Sequence, residues 1–234
     1  MADDTRDRAA GAVPTRAVDR ALGLLAAFQE PPARFTLAEL ARHAGLATST
    51  ALRLLRTLEA TGFLVRGEDG LFAPGPTLVR LASGTLHELP IYSLAGPSLE
   101  QLAAETGETA NLAIRHGERD VLYLRQVPSP QAVRYATWAG RTIPLDGTAV
   151  GAALRGEVGR RGYAVARGSV ERDVTGVAVP LRDQTGAPVA ALSVIGPSYR
   201  MPQRTVDGIG RLLLDHAEQL AQRLAGPASS RTAG

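Results

Sequence analysis

The chain has 234 residues, of which 44% are hydrophobic, enough for one large or two small domains with a buried core. It has no cysteine, and all 26 of its basic residues are arginine. Disulfides, thiolate nucleophiles, Schiff-base lysines and phosphate-binding Walker lysines are therefore excluded. The histidines (His43, His87, His116 and His216) are far apart, and none stands in a metal-ligating pattern, so neither a metal nor a cofactor is expected. The formal net charge is a mild +3. Residues 1–75 hold nine arginines against nine acids, so an argument for nucleic acid must rest on where individual arginines stand. No apolar run approaches the roughly 20 residues that span a bilayer. The segment Met1–Ala10 is polar, without the apolar stretch of a signal peptide. A cytoplasmic protein with no membrane association is expected.

Residues 1–14 are polar and of mixed charge, and read as a disordered arm. Helical spacing starts near Arg16, where Val18, Ala21, Leu22 and Leu25 form one apolar stripe, and Pro31-Pro32 ends that helix. Thr36-Leu37-Ala38-Glu39 is a capping box, with Phe35 and Leu40 placed for a hydrophobic staple, so a second helix begins at Leu37. Gly45 suits its left-handed C-terminal position. Thr48 or Ser49 can cap a third helix that runs to about Ala60. Two apolar runs, Phe63-Leu64-Val65 and Leu71-Phe72, flank Glu68-Asp69-Gly70 and predict a β-hairpin. Pro74-Gly75-Pro76 closes this domain, assigned to residues 15–75, and a connector helix occupies 76–89.

A second domain, residues 90–225, has a different pattern. A helix is predicted over about Leu94–Glu105, and strands at Ala110–Arg115, Val121–Gln126 and Val133–Thr137. A short helix follows at Thr148–Leu154, then strands at Tyr163–Val165, Val174–Leu181 and Val189–Ile195. A last helix, Gln203–Leu224, carries Val206, Ile209, Leu213, Ala217, Leu220 and Leu224 on one stripe. Residues 226–234 read as a disordered tail. The fold class is α+β.

Residues 37–56 act as a unit. Leu40, Ala41 and Ala44 face inward from the second helix, Gly45 makes the turn, and Ala51, Leu54, Leu55 and Leu58 form the inner face of the third. Small Ala41 permits close crossing, which is the spacing of a helix-turn-helix. At 100° per residue, Ser49, Arg53, Arg56 and Thr57 lie opposite the leucines, beside Thr50, and no acid occurs between Ala47 and Leu58. A row of hydroxyls and guanidinium groups suits the major groove of duplex DNA, where arginine reads guanine in two-pronged fashion. The same residues could also form an ordinary solvated face. The hairpin would be the wing, with Arg66 on a phosphate, and Arg16 and Arg20 could reach backbone or minor groove.

In these stretches the sequence resembles the IclR family of bacterial transcription regulators. The likeness runs from about Arg16 to Gly226. It rests on "RAVDRALGLL", "FTLAELARHAGLATSTALRLLRTLEATGFLVR" and "LFAPGPTLVRL", then on "LEQLAAETGETANLAI", "VLYLRQV", "GRTIPLDGTAVGAAL", "GYAV", "VTGVAVPL" and "AALSVIGPSYR". The resemblance implies a winged helix-turn-helix followed by a GAF-like α/β domain that cups a small organic effector. It also implies homodimers or homotetramers on a palindromic operator in double-stranded DNA. The positions implied to touch effector are Gly147, Thr148, Ala149, Val150, Gly176 and Ser193. Backbone amides at the helix start would suit a carboxylate. Trp138, the single tryptophan, is a further candidate, although such a residue more often belongs to core or interface.

The chain departs from the family pattern at several places. Gly176 stands where cysteine is usual, Ile195 where a second serine is common, and Asp146 for a histidine. Gly151-Ala152 replaces Gly-Lys, Ala166 or Arg167 an acid, and the helical segment before "GYAV" is reduced to Arg155–Gly162. Two alternatives therefore stay open. One is an orphan regulator whose second domain only dimerises. The other, more remote, is an enzyme on the α/β domain, which would need a carboxylate such as Asp146.

Overall fold

A computed structural model describes residues 15–29, 33–134 and 139–225. The expected arm, Pro31-Pro32, Trp138 and the expected tail lie outside the described residues. The chain divides into two units, Met1–Thr85 and Leu86–Gly234. No helix among the described residues is long and apolar enough to cross a membrane.

The first unit opens with α1 (Arg16–Ala26), which tightens into a 3₁₀ turn at Ala27–Gln29. The apolar stripe of α1 is not the one the spacing suggests. Leu24 is the residue fully buried, Ala21 and Leu25 are half-buried, and Val18 and Leu22 are 53% and 57% exposed. Among the described residues the first turns of α1 extend beyond the small core, and its C-terminal half packs on it.

The capping box forms as expected. Thr36 Oγ1 accepts from the Glu39 amide at 3.2 Å, and Glu39 Oε2 accepts from the Thr36 amide at 2.8 Å, fixing the start of α2 (Leu37–His43). Phe35 shares the core with Leu40, but its backbone bridges to Phe72, and its ring meets Phe28 edge-on with centroids 5.2 Å apart. Gly45 takes φ +61°, the left-handed turn that only glycine adopts without strain. The third helix, α3 (Thr48–Ala60), is one residue out from the expected cap. Ala47 occupies the cap position, and no side chain closes it, so neither Thr48 nor Ser49 is a cap. The hairpin is β1 (Leu64–Arg66) against antiparallel β2 (Phe72–Pro74), and α4 (Pro76–His87) follows. Leu24, Leu40, Leu55, Leu64 and Phe72 form the centre of this unit.

The second unit is an antiparallel six-stranded sheet with helices on both faces. Its strands are β3 (Thr109–His116), β4 (Asp120–Val127), β5 (Thr142–Pro144), β6 (Ala164–Arg167), β7 (Val174–Arg182) and β8 (Pro188–Pro197), in the order β5-β4-β3-β8-β7-β6. The expected strand at Val133–Thr137 is absent where it can be seen. Val133 and Arg134 are not in a strand, residues 135–137 lie outside the described residues, and the edge is supplied by β5 instead.

Side-chain alternation sorts the sheet into two faces. Ala110, Leu112, Val177, Val179, Leu192 and Val194 pack against α5 (Pro90–Thr106) and α7 (Gln203–Leu224). Ala113, Tyr123, Ala178 and Ala191 pack against α6 (Ala149–Arg155). Helix α5 begins four residues earlier than the spacing predicts, because Pro90 is favourable in the first turn. Its internal Pro97 forgoes one amide hydrogen bond. Beside it, Gly96 leaves room for the Arg125 guanidinium, which donates to the Tyr92 carbonyl at 3.3 Å and lies 5.6 Å from the Tyr92 ring centroid.

Candidate functional site

The outer face of α3 is the first candidate surface. Ala51, Leu54, Leu55 and Leu58 are buried, while Ser49, Arg53, Arg56 and Thr57 are exposed, so the two rows segregate as the 100° spacing requires. Thr50 sits half-buried at the edge of the row. Thr57 Oγ1 donates to the Arg53 carbonyl at 3.2 Å, which fixes its rotamer along the helix. Among the described residues no carboxylate pairs with Arg53 or Arg56. Two guanidinium groups on one rigid helix therefore keep their full donor sets for an outside acceptor.

In the wing, Arg66 lies over the Phe72 ring at 5.4 Å, and its Nε donates to the Gly70 carbonyl at 3.3 Å. It is held against its own hairpin yet stays at the exposed end of β1. Arg34, which the sequence reading passed over, pairs with Asp69 at 2.9 Å and so ties the wing turn to the approach to α2. Arg16 and Arg20 are exposed on α1.

The second candidate is a small hollow on the α6 face of the sheet, with a cavity volume of about 40 Å3 and a mouth open to solvent. Thr148, Ala149, Val150, Gly176 and Ser193 all line it. Gly147 does not. It makes the turn ahead of α6 at φ +73° and is exposed, while Thr148 closes the wall. The Thr148 hydroxyl caps α6, accepting from the Gly151 amide at 3.0 Å and leaning on the Pro144 and Leu145 carbonyls. Gly151 sits against the Leu145 carbonyl so closely that a Cβ there would collide with it.

Tyr123, Ile143, Ala166, Ser169, Val170, Val174 and Ile195 also line the hollow; of these the sequence marks only Ala166 and Ile195, as departures from the family pattern and not as effector contacts. Tyr123 stands on the sheet face that strand alternation assigns to α6, a signal that was available. The loop residues carried none. Burial pushes the Tyr123 phenol well above its ordinary pKa, while the Ser193 hydroxyl beside it acts in the opposite sense. No hydrogen bond of normal geometry satisfies Ser193 Oγ. Asp146, the carboxylate an enzyme reading would need, points to solvent and pairs with Arg155.

Models of two domains match the chain: the IclR helix-turn-helix domain over residues 17–68, and the bacterial transcriptional regulator IclR C-terminal domain over 83–156 and 156–222. The chain belongs to the IclR family. As an IclR protein it is similar to the HTH-type transcriptional regulator BhcR of Paracoccus denitrificans, 27% identical over 90% of this chain and 88% of that one. Among solved structures, the IclR transcriptional regulator of Alicyclobacillus acidocaldarius shares 25% identity over 91% of this chain and all of the other, with a TM-score of 0.76. The IclR homologue of Microbacterium hydrocarbonoxydans, crystallised with 4-hydroxybenzoate, shares the fold at TM-score 0.75 and 24% identity, covering 90% of this chain and all of that one. The winged helix-turn-helix followed by an α/β domain is thus the architecture of a family of transcriptional regulators.

Proposed function

We propose that this IclR-type regulator binds a palindromic operator as a homodimer or homotetramer and changes its affinity for DNA when a small organic effector enters the α6-side hollow. The observation that carries the DNA half is the exposed row on α3, in which Arg53 and Arg56 have no carboxylate partner among the described residues. With α3 in the major groove, Arg53 and Arg56 meet base edges and Ser49, Thr50 and Thr57 meet bases or phosphates. Arg66 at the wing and Arg16 and Arg20 on α1 add phosphate or minor-groove contacts. Such a protein works in the cytoplasm, where its operator is.

A mobility-shift titration with the DNA upstream of its own gene tests this reading. Binding at low salt that Arg53→Ala weakens is expected, and absence of binding by a folded oligomer at low salt overturns it. Effector control is supported by the five expected residues that line one hollow and by the 4-hydroxybenzoate found in the Microbacterium relative. The orphan reading, in which the second unit holds no ligand, is favoured by one observation: the cavity volume of the hollow is only about 40 Å3. A ligand that both stabilises the protein and shifts its operator affinity excludes the orphan reading.

A further inference from the structure

Two buried residues on this face of the sheet, Ser193 in the lining of the hollow and Asn111 next to it in the ladder, have side-chain polar atoms without partners of normal geometry among the described residues. Ser193 is 2% exposed and lines the hollow, and its Oγ, beside the Tyr123 phenol, has no hydrogen-bond partner of normal geometry among the described residues. Its cross-strand partner on β3 is Asn111, which is 0% exposed and has neither Oδ1 nor Nδ2 satisfied among the described residues. Directly paired residues in an antiparallel ladder point to the same side with Cβ atoms about 5 Å apart. Ala110 and Leu112, on either side of Asn111, face the α5 and α7 layer, so Asn111 faces α6. Tyr123, from β4, presents its phenol on that face too. Three strands thus bring a hydroxyl, a carboxamide and a phenol to one place. Leaving a buried amide without partners costs folding free energy, and such groups in native proteins call for an explanation.

The charge at this place is equally informative. Among the described residues that line the hollow there is no acid, arginine or histidine. The nearby ionic side chains are committed elsewhere: Asp146 pairs with Arg155 in solvent, and Arg167 reaches away to Thr175 and the Met201 carbonyl. Helix α6 is seven residues long, and the Gly151 amide is taken by Thr148. An anion seated here would lose its water without gaining a countercharge.

We infer that the hollow selects an uncharged ligand with a donor and an acceptor at one end, a carboxamide or similar carbonyl compound, whose head is read by Ser193, Asn111 and Tyr123 and whose body packs on Ile143, Val170 and Ile195. The inference rests on the reading of this hollow as an effector site and narrows its chemistry. The Asn111 side chain presents an amino group beside a carbonyl oxygen, a pairing that a carboxamide matches edge to edge and a carboxylate, which only accepts, cannot. The cavity volume of about 40 Å3 limits the buried head to a few heavy atoms, with any larger body extending toward solvent.

The test uses the full chain at pH 7.5 and two matched pairs, propionamide with propionate and benzamide with benzoate, followed by thermal shift and calorimetric titration. Each amide is expected to bind at least tenfold more tightly than its carboxylate. Asn111→Leu, close in volume, is expected to lose at least tenfold in amide binding without a lower melting temperature, because a merely structural amide would cost stability when removed. Ser193→Ala provides the same readout should Asn111→Leu fold poorly. Carboxylates that bind as well as the amides overturn the inference and leave effector control standing. Failure of all four compounds to bind overturns both, with DNA binding still judged by the shift assay. Amide binding unchanged in Asn111→Leu or Ser193→Ala removes the assigned reading group.

Discussion

Glu108 and Arg200 form a two-pronged ion pair across the mouth of the β3–β8 ladder, with Nε 2.6 Å from Oε1 and Nη2 2.9 Å from Oε2. The glutamate side chain is only 6% exposed and the arginine 24%. Hydrogen bonding to Glu108 raises the Arg200 pKa further, so the guanidinium stays charged at every accessible pH. Gly196 makes room for the pair, since a Cβ there would lie 2.7 Å from the Glu108 carboxyl carbon. Removing one partner of a buried pair leaves the other unpaired, at about 3–5 kcal/mol. Glu108→Ala should fall at the lower end of that range, because Arg200 keeps some contact with water. Urea unfolding of the second unit's transition measures it. A loss below about 1 kcal/mol would mean that the pair behaves like an exposed one.

Glycines in two of the helices of the second unit should respond to alanine with opposite signs. At Gly151 in α6 the added methyl meets the Leu145 backbone carbonyl, which cannot rotate away. Overpacking of this kind costs about 1–3 kcal/mol or more. At Gly208 in α7 nothing lies within 4 Å, and alanine gains helix propensity of about 0.5–1 kcal/mol. Gly151→Ala should therefore lower, and Gly208→Ala raise, the urea midpoint at unchanged slope. Equal changes at both positions would rule out the close approach at Gly151.

Arg53 and Arg66 should fail in different ways. Arg53 stands on the rigid exposed face of α3, and its loss removes a base-edge contact of about 1–3 kcal/mol and relaxes sequence preference at one position. Arg66 is steadied by Phe72 and the Gly70 carbonyl at the wing, and its loss should weaken all sequences alike and reduce the salt slope by about 1. Shift titrations at three salt concentrations with operator and scrambled DNA separate the two. The same phenotype for both variants would remove the division between reading and anchoring.

Local signals were legible where chain neighbours alone decide the structure. The Thr36–Glu39 box, the Gly45 turn, the hairpin around Gly70 and the whole of α7 all follow from spacing. Signals failed where distant partners decide. Val18 and Leu22 carry helical periodicity, but burial of α1 depends on how far the core extends, so Leu24 is the residue covered. Ala47 caps α3 because the turn from Gly45 arrives one residue early, overriding the preference for Thr48 or Ser49. Thr142–Pro144 is too short to show alternation and is a strand only through its pairing with β4. The hollow was half legible. Thr148, Gly176 and Ser193 came from the family pattern, whereas Asn111 becomes visible only when register places it opposite Ser193.

Tyr123 gives the hollow an alkaline signature. Its phenol, ordinarily near pKa 10.0, is raised chiefly by burial, with Ser193 acting in the opposite sense. Below pH 10 the phenol is neutral in both folded and unfolded chains, and its titration contributes no pH dependence. Above pH 10 the unfolded chain releases this proton while the folded one retains it, so unfolding gains up to about 1.4 kcal/mol per pH unit until the folded pKa is reached. Stability associated with this group is thus complete below the unfolded pKa and lost as pH rises beyond it. Tyr123→Phe keeps the ring packing and removes the proton, so its stability should fall less steeply than wild type between pH 10 and 11, with little difference in slope at pH 8. Urea midpoints at half-unit pH steps give both curves. Parallel curves above pH 10 would mean that water reaches the phenol in the folded state, and with it the floor of the hollow beside Ser193.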